Sequence, residues 1–286
     1  MNKLGMQRRW RFPLVATAAL VFTLGGAQAQ AQTQTSDGVD RLTIHLSDPS
    51  RPGTVKASMV RGGITVKAYD GKDIVIEGRA RDAAPVRTEP GMHRLSVGTT
   101  GLTAEEENNE VNISTDSVFH MVDLTIMVPV RTSLSLHTVT DGGIAVSGVD
   151  GDIEVEMVNG TVTLTNVSGA VVAHCVNGKL IATFAHVNPQ KAMAFSSVNG
   201  EIDVTFPPDL KANLSLHTER GDVLTDFDVQ LQHSWGNPIV EDSGKTDGKY
   251  RVRTDGSAHG TINGGGADIQ FNTLNGNIYI RKAGAK

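Results

Sequence analysis

Residues 142–178 read GGIAVSGVDGDIEVEMVNGTVTLTNVSGAVVAHCVNG, and the spacing of their glycines decides the fold. Gly142, Gly151, Gly160, Gly169 and Gly178 each follow the last by nine residues. Between them the apolar residues alternate: Ile144 and Val146, Ile153 and Val155, Val162 and Leu164, Val171 and Ala173, Leu180 and Ala182. Alternation at period two marks a strand with one buried face. A later apolar slot, filled by Val149, Val158, Val167 and Val176, precedes an Asp, Asn or Ser and the next glycine. Such pairs tolerate the positive φ of a tight corner. Each nonapeptide is therefore one short strand and one turn, and two of them make a coil. A lone unit cannot bury its apolar face, whereas coils stacked about 4.8 Å apart bury a continuous ladder. The expected fold is all-β, a parallel β-solenoid with coils of about 18 to 22 residues. An antiparallel meander competes, because Asn-Gly also favours hairpins. The strict period favours the solenoid.

The same grammar continues on both sides. Val55, Ala57 and Met59 precede Gly62, Met193 and Phe195 precede Asn199-Gly200, and Ile269 and Phe271 precede Asn275-Gly276 with Ile278 and Ile280 after. The pentapeptide LSLHT occurs at Leu134–Thr138 and again at Leu214–Thr218, each shortly after proline (Pro129; Pro207 and Pro208), which we read as coil entry where no ladder N–H is needed. Two stretches interrupt the pattern. Residues 82–117 contain the acidic run Glu105–Glu110, expected to be a solvated loop between strands. Residues 226–258, with Trp235 and Tyr250, are expected to project as a hairpin or loop available for binding.

The chain begins with Lys3, Arg8, Arg9 and Arg11, an apolar run from Phe12 to Leu24, and the small-residue site Ala27-Gln28-Ala29. This predicts a secretory signal peptide over residues 1–29, a β-solenoid domain over 30–286, and an exported protein of the periplasm, cell surface or medium. Removing a leader with four cations and no carboxylate takes the formal charge from −5 to −9. Such a surface does not attract nucleic acid. No second long apolar run predicts a membrane anchor after cleavage. Cys175 is the single cysteine, so the fold forgoes internal disulfides.

Candidate chemistry is sparse. A calcium-binding β-roll needs Gly and Asp at fixed offsets in every unit, whereas Asp150-Gly151-Asp152 stands alone and Gly264–Asp268 is out of register. Counting back from the turns aligns Glu156, His174, Ser196 and His217 in one outward column, with His137 one register position away. Imidazole and carboxylate on neighbouring rungs are zinc ligands in principle, but alternate rungs lie almost 10 Å apart, and a solvated polar ladder accounts for the column. Asp152, Glu154 and Glu156 share a strand face as polysaccharide-cleaving carboxylates would, yet the next coil offers Ala170, Val172 and His174. Cys175 reads as a small packed residue. Asn159, Asn177 and Asn199 read as corner residues with stacked amides. No catalytic, cofactor or metal residue is assigned.

Val128-Pro129, LSLHT at 134–138, GGIAV at 142–146, GDI at 151–153, Asn159-Gly160, GGGADI at 264–269 and TLNGNIYI at 273–280 together resemble the bacterial β-strand-repeat family labelled "putative adhesins", exported β-helical proteins of unknown function. The resemblance covers roughly residues 40 to 282. It implies an envelope protein and no catalytic residues. The expectation is a non-catalytic envelope or surface scaffold that binds a protein or glycan partner, with end-to-end self-association through ends near Val39 and Ile280. A carbohydrate-active β-helix enzyme and a metal-responsive, stress-associated periplasmic factor are the alternatives.

Overall fold

The computed structural model describes residues 32–36, 39–81, 100–115, 121–140, 142–233, 238–242, 250–254 and 257–284. The expected signal peptide, Trp235 and all of 82–99 lie outside them. The described chain is all strand and turn, in two eleven-stranded sheets and one separate hairpin. Successive repeats alternate between the sheets. Thr132–Thr140, Ile153–Asn159, Val171–Asn177 and Met193–Asn199 form neighbouring parallel strands of one sheet, which we call the second. Ile144–Ser147, Val162–Ser168, Leu180–His186 and Ile202–Phe206 do the same in the first. The solenoid reading therefore holds, and the meander does not.

Parity explains which side chains point inward. In the strand Ile153–Asn159, Ile153, Val155 and Met157 are buried and Glu154 and Glu156 exposed. The same parity corrects the later valine slot. Val149 and Val167 are buried at one corner. Val158 and Val176 follow buried Met157 and Cys175, so they face outward and are only half-buried. Inside, Phe195 stacks on Phe271 (centroids 5.2 Å apart) and Phe184 on Phe206 (5.0 Å), and Phe184 meets Phe195 edge-on, filling the space left by Ala173 and Ala182.

The coils do not stack in chain order. Ala267–Asn275 lies between Met193–Asn199 and Ala212–Arg220, parallel to both, and Ile278–Lys282 lies between Ile202–Phe206 and Val223–Thr225. The last coil is thus inserted into the stack. The other end repeats the device. Gly53–Arg61 lies between Glu110–Thr115 and Thr132–Thr140, and Ile64–Tyr69 between Val122–Pro129 and Ile144–Ser147. The two LSLHT copies occupy equivalent strands, with Leu134 opposite Val55 and Leu214 opposite Ile269. Asp123 fastens the first inserted coil, accepting from Gly63 N at 3.0 Å and from Arg81 at 2.6 and 2.7 Å. Partial burial raises its pKa, but these bonds outweigh that and hold the carboxyl below its usual 3.8.

Two expectations change here. Ile280 is not at an end of the stack, because its coil is internal. Antiparallel strands lie at all but one of the described sheet edges: Ile74–Ala80, Val39–Ile44 and Gln32–Ser36 on the first sheet, and Ser257–Ile262 with Val229–His233 on the second, while Val223–Thr225 ends the first sheet in parallel. The acidic run is also not a loop. Leu102–Glu107 and Glu110–Thr115 form a hairpin around Asn108 and Asn109, both at positive φ (55° and 67°), which is the two-residue turn that matches strand twist. Within 226–258, Pro238–Asp242 pairs antiparallel with Tyr250–Thr254.

One inward column carries hydroxyls. Thr138, Thr218 and Thr273 donate to the carbonyls of Gly62, Gly276 and Gly200 at 3.1, 3.2 and 3.4 Å, and Cys175 Sγ reaches Gly160 O at 3.5 Å. Ser197, in register with Cys175 and Thr273, is buried with no partner for Oγ among the described residues. An orphaned buried hydroxyl costs about 1–3 kcal/mol. Ser197→Ala is therefore expected to leave stability unchanged or raise it by about 1 kcal/mol. A fall in urea midpoint equivalent to more than that would show that the hydroxyl is satisfied.

Candidate functional site

The outward faces of the two sheets differ in chemistry. On the first, Thr163, Thr165, Thr183 and Thr205 recur along the strands. On the second, three columns run along the stack, with strand register setting neighbours about 4.8 Å apart. The central column is Ser58, His137, Glu156, His174, Ser196, Asn272 and His217. The column expected from the sequence is thus present, with two corrections. His137 stands directly opposite Glu156, and Asn272 separates Ser196 from His217, because the inserted coil comes between them. His137 Nδ1 is 3.3 Å from Glu156 Oε2, and His174 Nδ1 pairs with Ser196 Oγ at 2.7 Å. The groups are therefore satisfied in twos. Among the described residues no three His, Cys, Asp or Glu side chains are grouped to hold a metal ion.

Beside it runs an apolar column of Val60, Val139, Val158, Val176, Val198 and Leu274, of which Val60 is 48% and Leu274 40% exposed. At the sheet corner an amide ladder follows. Asn177 donates to Asn159 at 2.9 Å, Asn199 to Asn177 and Asn275 to Asn199 at 2.8 Å each, and Arg220 closes it on Asn275 at 3.3 Å. The ladder is the stacked-amide arrangement expected of the corner asparagines, extended by the inserted coil. On the other side, Val172 and Ala194 are small among Asn213, Gln270 and His259, which leaves a shallow groove of about 370 Å³.

The acidic strand does not build a hydrolytic pair. Asp152 binds Lys191 Nζ at 2.6 Å, Glu154 accepts from Ser135 at 3.1 Å, and Glu156 faces His137. At the opposite corner Asp150, Ser168 and His186 sit on successive coils. The serine stands between the other two, whereas a Ser-His-Asp relay needs the imidazole in the middle. Cys175 is fully buried, and burial raises its pKa, so it stays a thiol.

Sequence reasoning missed a second concavity at that corner, about 420 Å³, lined by Pro52, Arg131, Asp150, Asp152, His186 and Lys191 among others. Its signal was present: the nine-residue series after Gly178 arrives at Val187, where no glycine stands.

Comparison with known proteins finds one family profile and two solved structures. Residues 133–263 match the family profile described as Toastrack DUF4097. A "putative cell adhesion protein" from Clostridium sporogenes ATCC 15579 is 9% identical over 88% of this chain and 100% of that one, with a TM-score of 0.41. A "putative adhesin" from Bacteroides fragilis NCTC 9343 is 12% identical over 86% and 98%, with a TM-score of 0.27. No curated protein matches the chain. Likenesses this distant assign no partner. The profile match covers strands from both sheets of the parallel stack.

Proposed function

We propose that the chain is a non-catalytic exported protein of the bacterial envelope or surface, an adhesin-like scaffold whose second sheet presents its outward face to a protein or glycan partner. The observation that carries this reading is the apolar column from Val60 to Leu274. A purely solvated face has no reason to place a valine or leucine on six successive rungs. The column is about 24 Å long at the usual strand spacing. Contiguous outward apolar surface, here exposed at Val60 and Leu274 and half-buried between them, marks interaction sites. The carboxylates of the acidic strand, Asp152, Glu154 and Glu156, are each engaged by a neighbour, which supports a binding role over hydrolysis.

The test places charge in the middle of the column. Val176→Lys combined with Val198→Lys is expected to cut capture of envelope components by immobilised protein at least tenfold. The melting temperature should move little, since both half-buried valines face outward and surface substitutions usually change stability by about 0.5 kcal/mol or less. Unchanged capture by a folded double variant refutes this face as the binding surface.

A further inference from the structure

The corner glycine series fails once inside the regular stack. Gly151 and Gly169 stack on one another there: a Cβ on Gly169 would lie 2.3 Å from Gly151 O. The next coil instead makes a loop from Val187 to Ala192. It is turned by Gln190 N on Asn188 Oδ1 (3.0 Å) and by Lys191 N on Asn188 O (3.2 Å). Lys191 Nζ then reaches back over an intervening coil to both oxygens of Asp152, at 2.6 and 2.9 Å. The loop forms one wall of the 420 Å³ corner cleft, and Pro52 and Arg131 line it too. This volume lies within the usual range for small-ligand sites, roughly 300–1,000 Å³.

Two charged side chains of the cleft have no partner among the described residues, the Arg131 guanidinium and the Asp150 carboxylate. They are held close in the stack, because Asp150 N donates to Val130 O at 2.8 Å. Lys191 and Asp152 neutralise each other, which leaves one cation, Arg131, and one anion, Asp150, to engage a ligand. A guanidinium fork is matched by a carboxylate, and a carboxylate accepts hydrogen bonds from hydroxyls. A ligand with a carboxylate and hydroxyl donors on one frame satisfies both, and the ring of Pro52 offers it an apolar contact.

We propose that this cleft binds an acidic saccharide of the uronate type, its carboxylate on Arg131 and its ring hydroxyls on Asp150. The proposal rests on the reading of the chain as a scaffold for a protein or glycan partner, and it names a ligand class and a site away from the apolar column.

Calorimetric titration of the full chain with trigalacturonate tests it, with maltotriose (rings without carboxylates) and citrate (carboxylates without rings) as controls. Trigalacturonate is expected to give a saturable isotherm, with both controls at least tenfold weaker. Arg131→Ala, Arg131→Lys and Asp150→Asn should each weaken trigalacturonate at least tenfold. Both positions are exposed, so circular dichroism melts should match the parent. The Val176→Lys, Val198→Lys double variant should bind trigalacturonate as the parent does. No binding of trigalacturonate, equal binding of either control, or full binding by Arg131→Ala overturns the proposal. If trigalacturonate fails while capture of envelope components remains sensitive to the double variant, the cleft alone is wrong. If trigalacturonate binds and capture is insensitive, the sheet face alone is wrong.

Discussion

Gly178→Ala is expected to destabilise the protein by about 4 kcal/mol or more, the extreme of single substitutions and a large share of the roughly 5–15 kcal/mol that a domain holds. A Cβ there would lie 1.8 Å from Gly160 O and 2.7 Å from its carbonyl carbon, and φ is +146°. The contact belongs to a series. A Cβ on Gly160 would meet Gly142 O at 2.2 Å, one on Gly200 would meet Gly178 O at 1.8 Å, and one on Gly276 would meet Gly200 O at 2.1 Å. Each turn carbonyl occupies the space where the next coil would carry a side chain. Relief requires these two coils to part, which breaks Gly160 N to Asn177 O and Val162 N to Lys179 O, both 2.9 Å. Urea unfolding followed by circular dichroism measures the loss. Asn177→Ala, one residue away, is the comparison, since it removes two exposed amide bonds worth about 1 kcal/mol each. A Gly178→Ala midpoint no lower than that of Asn177→Ala would mean the nested backbone account is wrong.

A chain ending at Gly266 is expected to lose the cooperative fold altogether. In a solenoid stacked in chain order, deletion of the last coil would shorten one end. Here it removes an interior layer. Ile269, Phe271, Ile278 and Ile280 are each at most 1% exposed, and burying such side chains is worth about 1.5–3 kcal/mol apiece. The summed loss, roughly 6–12 kcal/mol, rivals the whole stability. Deletion also leaves Met193–Asn199 and Ala212–Arg220 without the strand that joins them. A chain ending at Lys282 gives up little more than the bond from Ala283 N to Phe206 O and should melt as the full chain does. A sharp thermal transition near the parental temperature in the shorter chain would refute the insertion of this coil.

The order of the coils explains what the one-dimensional pattern could and could not convey. Gly142 to Gly178 are regular because nested turns admit no side chain, and that constraint acts between neighbours in both sequence and space. Strand, turn, inward face and the two-sheet coil were therefore legible. The verbatim LSLHT copies were visible as well, but their meaning was not. They mark the two strands against which an out-of-order coil packs, one supplied from before the repeat and one from after it. Val158 and Val176 misled for a related reason: hydropathy alone cannot tell a buried valine from an outward one, whereas counting from Met157 and Cys175 does. The acidic run hid a hairpin, because its composition is that of a loop and only Asn108 and Asn109 carry the turn.

By itself, then, the sequence determined the repeating unit and its packing, since each nonapeptide carries its own glycine, alternating apolar residues and corner amide. Tertiary structure alone decided which coils touch. That choice depends on sheet edges left open between Met193–Asn199 and Ala212–Arg220, and between Glu110–Thr115 and Thr132–Thr140, being closed by strands distant in the chain. Any coil with the right parity satisfies the local code, so the local code cannot rank them. The same physics placed Asn272 within the imidazole column and set Arg131 beside Asp150. Both are relations across the stack that no spacing along the chain expresses.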